Sequence, residues 1–379
     1  MILDRVEEFI DACVGEMGSR VGAAGAGRAH AGVVGDEAAF NRLALDVFAH
    51  QIECTPIYRR LCELRGVNPA EVDHWSRIPA VPADLFKEGL GAEDGAVTFL
   101  SSGTTQGPER PSRHVVSARS YELYRRSSVA YFSAMVMPDS PGPMAVLVLG
   151  PTAATHPSSS LGHMYRFVVD ACADGGVYLQ PFGADGRLDL DAAIAWLVEA
   201  AASTRPVLIL ALSSTITALF ETLRARKLAL RLPADSRLVD TGGNKGGRTM
   251  SRAGILKAAW RFLHIPAYLC IGEYGMTELL SQFYDDAWRS RWSGTLEPRA
   301  KVGPPWTRTM VVDPATLAPI ARGERGILRH VDLANSGSVA VVQTLDIGVE
   351  KGNGFEVLGR ASGAEARGCS QLMSVLCPL

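Results

Sequence analysis

Ala96-Val97-Thr98-Phe99-Leu100-Ser101-Ser102-Gly103-Thr104-Thr105-Gln106-Gly107 reads as a short apolar strand that runs into a loop of hydroxyls and glycines. Glycine lets the backbone turn close to a ligand, and consecutive amides with Ser and Thr hydroxyls can form an anion-binding nest. Taken alone the stretch admits two readings, a loop that wraps phosphate or an ordinary surface loop. The segments around it decide between them.

Downstream the same pattern recurs. Apolar strand candidates at 96–100, 145–149, 207–212, 237–240 and 267–271 alternate with helical candidates around 117–135, 161–172, 189–203, 215–228 and 251–262, which predicts a mainly parallel sheet with helices on both faces. Open sheets of this kind bind ligands beyond the carboxyl ends of their strands. Polar stretches follow each candidate strand there, three of them containing glycine: 101–107, 151–160, Ser213-Ser214-Thr215, Thr241-Gly242-Gly243 and 272–278. Five in register predict one crevice.

Upstream, residues 1 to about 75 carry apolar residues at helical spacing, as in Leu43, Val47 and Phe48 and in Ile57, Leu61 and Leu64. Ile78-Pro79-Ala80-Val81-Pro82 forces extended backbone. Beyond residue 305 the helical pattern gives way to short extended runs at 309–312, 326–329 and 339–342. The expected organisation is a helical N-terminal segment, 1–95, an α/β core for nucleotide and acid, 96–305, and a small β-rich subdomain, 306–379.

Composition narrows the partner. The 379 residues are 47% hydrophobic and 21% charged, with a formal net charge of -2 and no basic run long enough to track a nucleic-acid backbone. No stretch approaches 18 uninterrupted apolar residues and no basic segment precedes an apolar one at the N-terminus, so neither a membrane span nor an export signal is expected and the reading is cytoplasmic. Seven scattered cysteines without a CxxC pair fit neither a disulfide framework nor a structural zinc site. A small-molecule substrate is the expectation.

The standard nucleotide signatures are missing. There is no GxxxxGK[ST], and the glycines near 103 lack GxGxxG order. Yet SSGTTQG at 101–107, GEYGMTE at 272–278, QTLDIG at 343–348, LGR at 358–360 and RGCS at 367–370, together with FAHQIECTPIYRRLC and IPAVPADLFK in the N-terminal part, resemble the adenylate-forming superfamily. Within it the pattern is similar to the acyl-protein synthetases of bacterial bioluminescence, the LuxE-type family, over nearly the whole chain.

The resemblance implies a large-domain-like adenylate-forming fold and an ATP- and Mg²⁺-dependent enzyme that joins a carboxylic acid to the α-phosphate of ATP, releases pyrophosphate and passes the acyl group to a thiol. Ser101, Ser102, Gly103, Thr104, Thr105 and Gly107 would cover the triphosphate; the family places glycine directly after the two threonines, where this chain has Gln106. Thr277 would contact phosphate and Glu278 would hold magnesium, for which a hard carboxylate oxygen is suited. The local alternative is that Thr277 caps a helix running into Leu279, Leu280 and Phe283. Tyr274 would stack beside the adenine, with Gly242 and Gly243 lining the base pocket; otherwise Tyr274 is a packed aromatic. Asp346 resembles the acid that binds the ribose hydroxyls, or is a turn residue, and Arg360 would reach ribose or phosphate, or form a surface ion pair.

Usual members of the superfamily continue for about a hundred residues as a mobile domain, whereas this sequence runs to Leu379. By resemblance Cys369 takes the place of that domain as the residue that becomes acylated, with Cys377 a lesser candidate and a structural cysteine the alternative. Ser213, Lys245, Met276 and His163 are candidate acid-binding residues, with His156 and Lys87 weaker ones; two structural histidines are the plain reading of His156 and His163. The receiving thiol would belong to a reductase-like protein, to coenzyme A or to a carrier protein. A non-catalytic nucleotide-binding subunit is the remaining alternative.

Overall fold

The computed structural model describes residues 1–23, 36–88, 90–91, 95–101, 110–183, 185–242, 249–294 and 298–361. Three helices open the chain, α1 (Ile2–Ala23), α2 (Glu37–Cys54) and α3 (Pro56–Leu64). Asp36 caps α2 by accepting the Ala38 amide, and Pro56, which needs no hydrogen-bond partner for its nitrogen, sits in the first turn of α3. The proline-rich stretch after them yields β1 (Val81–Pro82). A small sheet of β2 (Leu90–Gly91), β3 (Val97–Leu100) and β4 (Arg113–Val116) comes next.

The α/β core then alternates as α4 (Ala118–Val136), β5 (Met144–Leu149), α5 (Ser160–Cys172), β6 (Ala173–Leu179), α6 (Leu190–Ala201), β7 (Val207–Leu212), α7 (Ser213–Ala225), β8 (Arg237–Thr241), α8 (Arg252–Leu263) and β9 (Cys270–Tyr274). The chain closes with β10 (Phe283–Asp285), α9 (Ala287–Ser293), β11 (Lys301–Val302), β12 (Thr307–Val312), β13 (Arg325–Asp332), β14 (Val341–Lys351) and β15 (Gly354–Arg360). Among the described residues twelve strands share one sheet in the order β12-β13-β14-β15-β11-β10-β9-β8-β7-β5-β6, with β1 parallel to β14. The half from β9 to β6 is parallel; the pairings from β9 through β12 are antiparallel. A sheet flanked by helices was expected, and the β-rich region after residue 305 is hydrogen-bonded to its parallel half through β11 and β10.

Both faces of β5, β7, β8 and β9 are covered, which is why β5 and β7 read as continuous apolar runs, whereas the edge strand β6 is largely exposed and went unpredicted. Val146, Val148, Leu208 and Leu210 pack with α1, α2, α4 and α5 on one face. Leu147, Leu149, Ile209 and Ala211 pack with α6, α7 and α8 on the other. One ion pair links this core to its rim: Arg237, fully buried at the start of β8, bonds the water-accessible Asp139 at 3.0 Å through both terminal guanidinium nitrogens and donates to the Val136 carbonyl at 2.6 Å. Arg237→Ala removes hydrogen bonds from a buried guanidinium but leaves Asp139 accessible to water, so the expected cost is about 1.5–3 kcal/mol, measured by urea unfolding; a loss below about 0.5 kcal/mol would mean that the pair behaves like a fully exposed one.

Three expectations from the sequence are corrected. The strand at 96–100 is not part of the parallel sheet: β3 is antiparallel to β4, a strand too short and polar, Arg113-His114-Val115-Val116, to stand out by pattern. The strand expected at 267–271 begins at Cys270, because Pro266 opens a tight turn over Ala267–Leu269, so Gly272, Glu273 and Tyr274 are strand residues. No helix follows Thr277. The chain turns at Thr277 and Glu278, the Leu280 amide goes to Asp332 at 2.9 Å instead of a helical carbonyl, and Phe283 returns opposite Tyr274.

Candidate active site

The carboxyl ends of β7, β8 and β9 carry a connected set of polar groups. Ser213, the first residue of α7, lies in the mouth of the sheet, and its hydroxyl donates to the Gly242 carbonyl at 2.9 Å and approaches Asp240 Oδ2 at 3.2 Å. Gly242 holds φ +92°, backbone that a side chain resists. Thr241 donates to the buried Glu273 carboxylate, its cross-strand partner on β9. One residue on, the Tyr274 hydroxyl donates to Asp346 Oδ2 at 2.7 Å.

That last bond spans the sheet. Tyr274 ends β9, whereas Asp346 lies on β14, and the antiparallel half reaches it by curling around an aromatic cluster of Tyr274, Phe283, His330 and Phe355 with ring centroids 4.8–5.9 Å apart. Arg360 faces Asp346 directly in the β14–β15 register. It is exposed, and no ion pair joins it to another described residue.

The Thr277–Glu278 turn is braced from three directions. His114 on β4 donates Nδ1–H to the Thr277 carbonyl at 2.9 Å, Asn335 donates to the Glu278 carbonyl at 2.9 Å, and Asp332 takes the Leu280 amide and the Ser281 hydroxyl. Asn335 in turn belongs to a loop held by the buried Gln51 of α2, which accepts the Ala340 amide and donates to the Ser336 carbonyl, each at 3.0 Å. The N-terminal helices therefore support the turn. Met276, before it, is half-buried against the main core.

Beneath the strand ends runs a cluster of buried charges. Asp285 contacts Lys301 at 2.9 Å and Arg252 at 2.9 Å, Arg252 also binds Asp240, and the Gly272 amide donates to Asp285 at 2.9 Å. A β-carbon at Gly272 would stand 2.6 Å from Lys301 Nζ and 2.8 Å from Asp285 Oδ2, so a larger residue there would displace that ion pair. Burial alone would raise the Asp285 carboxyl, but Lys301, Arg252 and Arg299 together hold it well below the usual carboxylate range.

Glu273 behaves oppositely. Burial pushes its carboxyl from the ordinary 4.5 up to about 7, with the Thr241 hydrogen bond only partly compensating. Burial likewise raises Asp332 to about 6. The folded chain thus holds these protons more tightly than the unfolded one, and their contribution to stability, full below the ordinary values of 3.8 for Asp332 and 4.5 for Glu273, is lost as pH rises through about 6 and 7. Wild type is expected to unfold at lower urea as pH climbs across that window, with Glu273→Gln showing a flatter profile; equal slopes for the two proteins would contradict the assignment.

The SSGTTQG stretch, 101–107, falls in the sequence that joins β3 to β4. Ser101 closes its neck: its hydroxyl accepts the Ser112 amide at 2.9 Å while its own amide donates to the Ser112 carbonyl at 3.1 Å. The Leu100 amide reaches the Ser158 carbonyl at 2.8 Å, joining this hairpin to the segment between β5 and α5. Ser102, Gly103, Thr104, Thr105 and Gly107 lie outside the described residues, as do Gly243, Lys245, Cys369 and Cys377. His163 uses both ring nitrogens within the protein, with Tyr121 at 2.7 Å and the Pro157 carbonyl at 2.9 Å, and ring contacts to Phe99 and Phe167. Lys87 pairs with Asp84 at 2.9 Å, and His156 bonds Thr155.

Comparison with known proteins gives the arrangement its family. The model of acyl-protein synthetase, LuxE matches residues 34–376. The chain belongs to that family. A curated relative, the long-chain-fatty-acid–luciferin-component ligase of Aliivibrio fischeri, is 29% identical over 110 residues, a match that takes in 27% of this chain and 26% of that ligase. The chain thus aligns with about a quarter of that relative's length. Among solved structures, an open conformation of 2-hydroxyisobutyryl-CoA ligase in complex with 2-HIB-AMP and CoA superimposes with TM-score 0.60 at 14% identity, covering 86% of this chain and 76% of that one. An ATP-bound RpMatB-BxBclM chimera gives TM-score 0.50 at 17% identity over 71% of this chain and 49% of its own.

In this LuxE-family chain the described contacts link Ser213 to Gly242 and Tyr274 to Asp346, which faces Arg360, while Thr277 and Glu278 occupy the turn after β9. Sequence reasoning passed over Glu273 and Thr241, although both lie inside the quoted motifs, and over His114, Asn335 and His330, which sit among other polar residues and carry no distinguishing local signal. Among the described residues no group of three or more His, Cys, Asp or Glu side chains converges for a metal. A magnesium ion held by one carboxylate and by phosphate oxygens needs no such cage. No described helix is long and apolar enough to cross a membrane.

Proposed function

We propose that this chain is an acyl-protein synthetase that activates a carboxylic acid with ATP and transfers the acyl group through Cys369 to a partner's thiol. The observation that supports the reading most is the 2.7 Å bond between Tyr274 and Asp346, since it joins the GEYGMTE and QTLDIG signatures at one point beyond the parallel strands. The donor set fits a magnesium nucleotide: a carboxylate for ribose hydroxyls in Asp346, a guanidinium in Arg360, glycine backbone at Gly242 for a flat base, and Thr277 and Glu278 for phosphate and metal.

In this reading a carboxylate oxygen of the acid attacks the α-phosphorus, the bond to the bridging oxygen of pyrophosphate breaks, and an acyl-adenylate results. Magnesium, held by Glu278 and phosphate oxygens, would neutralise charge on the leaving pyrophosphate. Thr277 and the hydroxyls of Ser102, Thr104 and Thr105 would donate to the phosphates, while Ser213, Met276, Lys245 and His163 would border the acid. The Cys369 thiolate then attacks the acyl carbon, AMP leaves, and a thioester forms. An external thiol, from a reductase-like protein, coenzyme A or a carrier protein, takes the acyl group and returns the thiolate.

Pyrophosphate release over short-chain, long-chain and aromatic acids tests the reading. At least one class is expected to stimulate release strictly with ATP and magnesium. Background release with every acid would leave a nucleotide-binding subunit without chemistry.

A further inference from the structure

The proposed nucleotide site contains a hydrogen-bonded chain that its motifs do not account for. Thr309 and His330 stand opposite each other in the β12–β13 register, with Oγ1 2.9 Å from Nδ1. His330 Nε2 lies 3.4 Å from the Tyr274 hydroxyl, which lies 2.7 Å from Asp346 Oδ2. An ionised carboxylate only accepts, so the tyrosine donates to Asp346 and its oxygen is left to accept. Nε2 then carries the imidazole proton, and Nδ1 accepts from Thr309. One set of proton positions satisfies every member.

The surroundings hold that set in place. His330 is fully buried, with Phe283 4.8 Å and Phe355 5.4 Å away ring to ring, and burial pushes its pKa down to about 3, which keeps it neutral as the chain requires. Around it the facing polar groups are Thr309, Tyr274 and, one bond further, Asp346. On the other side of the carboxylate, no described residue donates to Asp346 Oδ1.

We propose that Tyr274 and His330 are positioning residues for the nucleotide's sugar: by fixing Asp346 Oδ2, the Thr309–His330–Tyr274 chain turns Oδ1 toward the two ribose hydroxyls. The inference rests on the reading of Asp346 as part of an ATP site. It separates the hydroxyl of Tyr274, committed to Asp346, from any contact its ring makes with the base. Specificity for a ribonucleotide is the property this device controls.

Calorimetric titration of the full chain with ATP and with its dideoxyribose analogue tests it, each with magnesium. Wild type is expected to prefer ATP, and D346N to lose the preference. Y274F should lower the preference about tenfold, the size of one lost hydrogen bond to a charged group, through weaker ATP binding with analogue affinity within about twofold. H330Q, which keeps an N–H donor, should retain more of the preference than H330F, and the KM for ATP should rise in Y274F while that for the acid stays unchanged. Y274F with the wild-type preference, or with both nucleotides weakened equally, would overturn the inference while leaving ATP binding intact. Wild type that binds neither nucleotide would instead overturn the reading of the site itself.

Discussion

Cys369→Ala is expected to abolish the covalent acyl-enzyme and to slow acyl transfer to a partner thiol by at least about a thousandfold, the scale on which removing a nucleophile acts. Adenylation precedes the thiol's attack, so the variant should still release pyrophosphate in a first turnover and retain the acyl-adenylate. Intact-protein mass after incubation with ATP, magnesium and acid distinguishes the cases: wild type gains a hydroxylamine-sensitive acyl mass and the variant does not. Undiminished formation of a coenzyme A ester by the variant would assign the acceptor role to external thiols, and an adduct surviving in Cys369→Ala would move attention to Cys377.

Glu278→Gln should act one step earlier. The substitution keeps size and one acceptor oxygen but removes the charge that a hard divalent cation needs, so pyrophosphate release is expected to fall about a hundred- to a thousandfold. Asn335 grips the Glu278 main-chain carbonyl, which the substitution leaves unchanged, and the unfolding midpoint of the variant separates any loss of stability from the loss of rate. Added magnesium should recover part of the lost rate by mass action. A variant with the wild-type rate at limiting magnesium would remove Glu278 from the metal site.

The parallel half of the sheet was legible because both its faces are buried, leaving apolar runs such as Met144–Leu149 and Val207–Leu212 bounded by capped helices. Local pattern failed where tertiary contacts decide. Leu279, Leu280 and Phe283 have helical spacing, yet Asp332, distant in sequence, takes the Leu280 amide and cross-strand pairing with Tyr274 fixes Phe283. β4 was missed because His114 and Arg113 break its apolar run, although His114 is one of the residues that holds the Thr277–Glu278 turn. The site was legible as motifs and not as geometry: Tyr274 and Asp346 could each be read from their neighbours, whereas their hydrogen bond depends on the curl of six antiparallel strands. His330 carries no motif at all, since its role exists only through Thr309 and Tyr274.

The most direct measurement follows the acid's oxygen. With a carboxylic acid labelled with heavy oxygen, ATP, magnesium and an acceptor thiol, attack of the carboxylate on the α-phosphorus leaves one labelled oxygen in the AMP that is released, and mass spectrometry of that AMP is expected to find it. Unlabelled AMP, or ADP and phosphate in its place, would contradict activation of the acid as an acyl-adenylate.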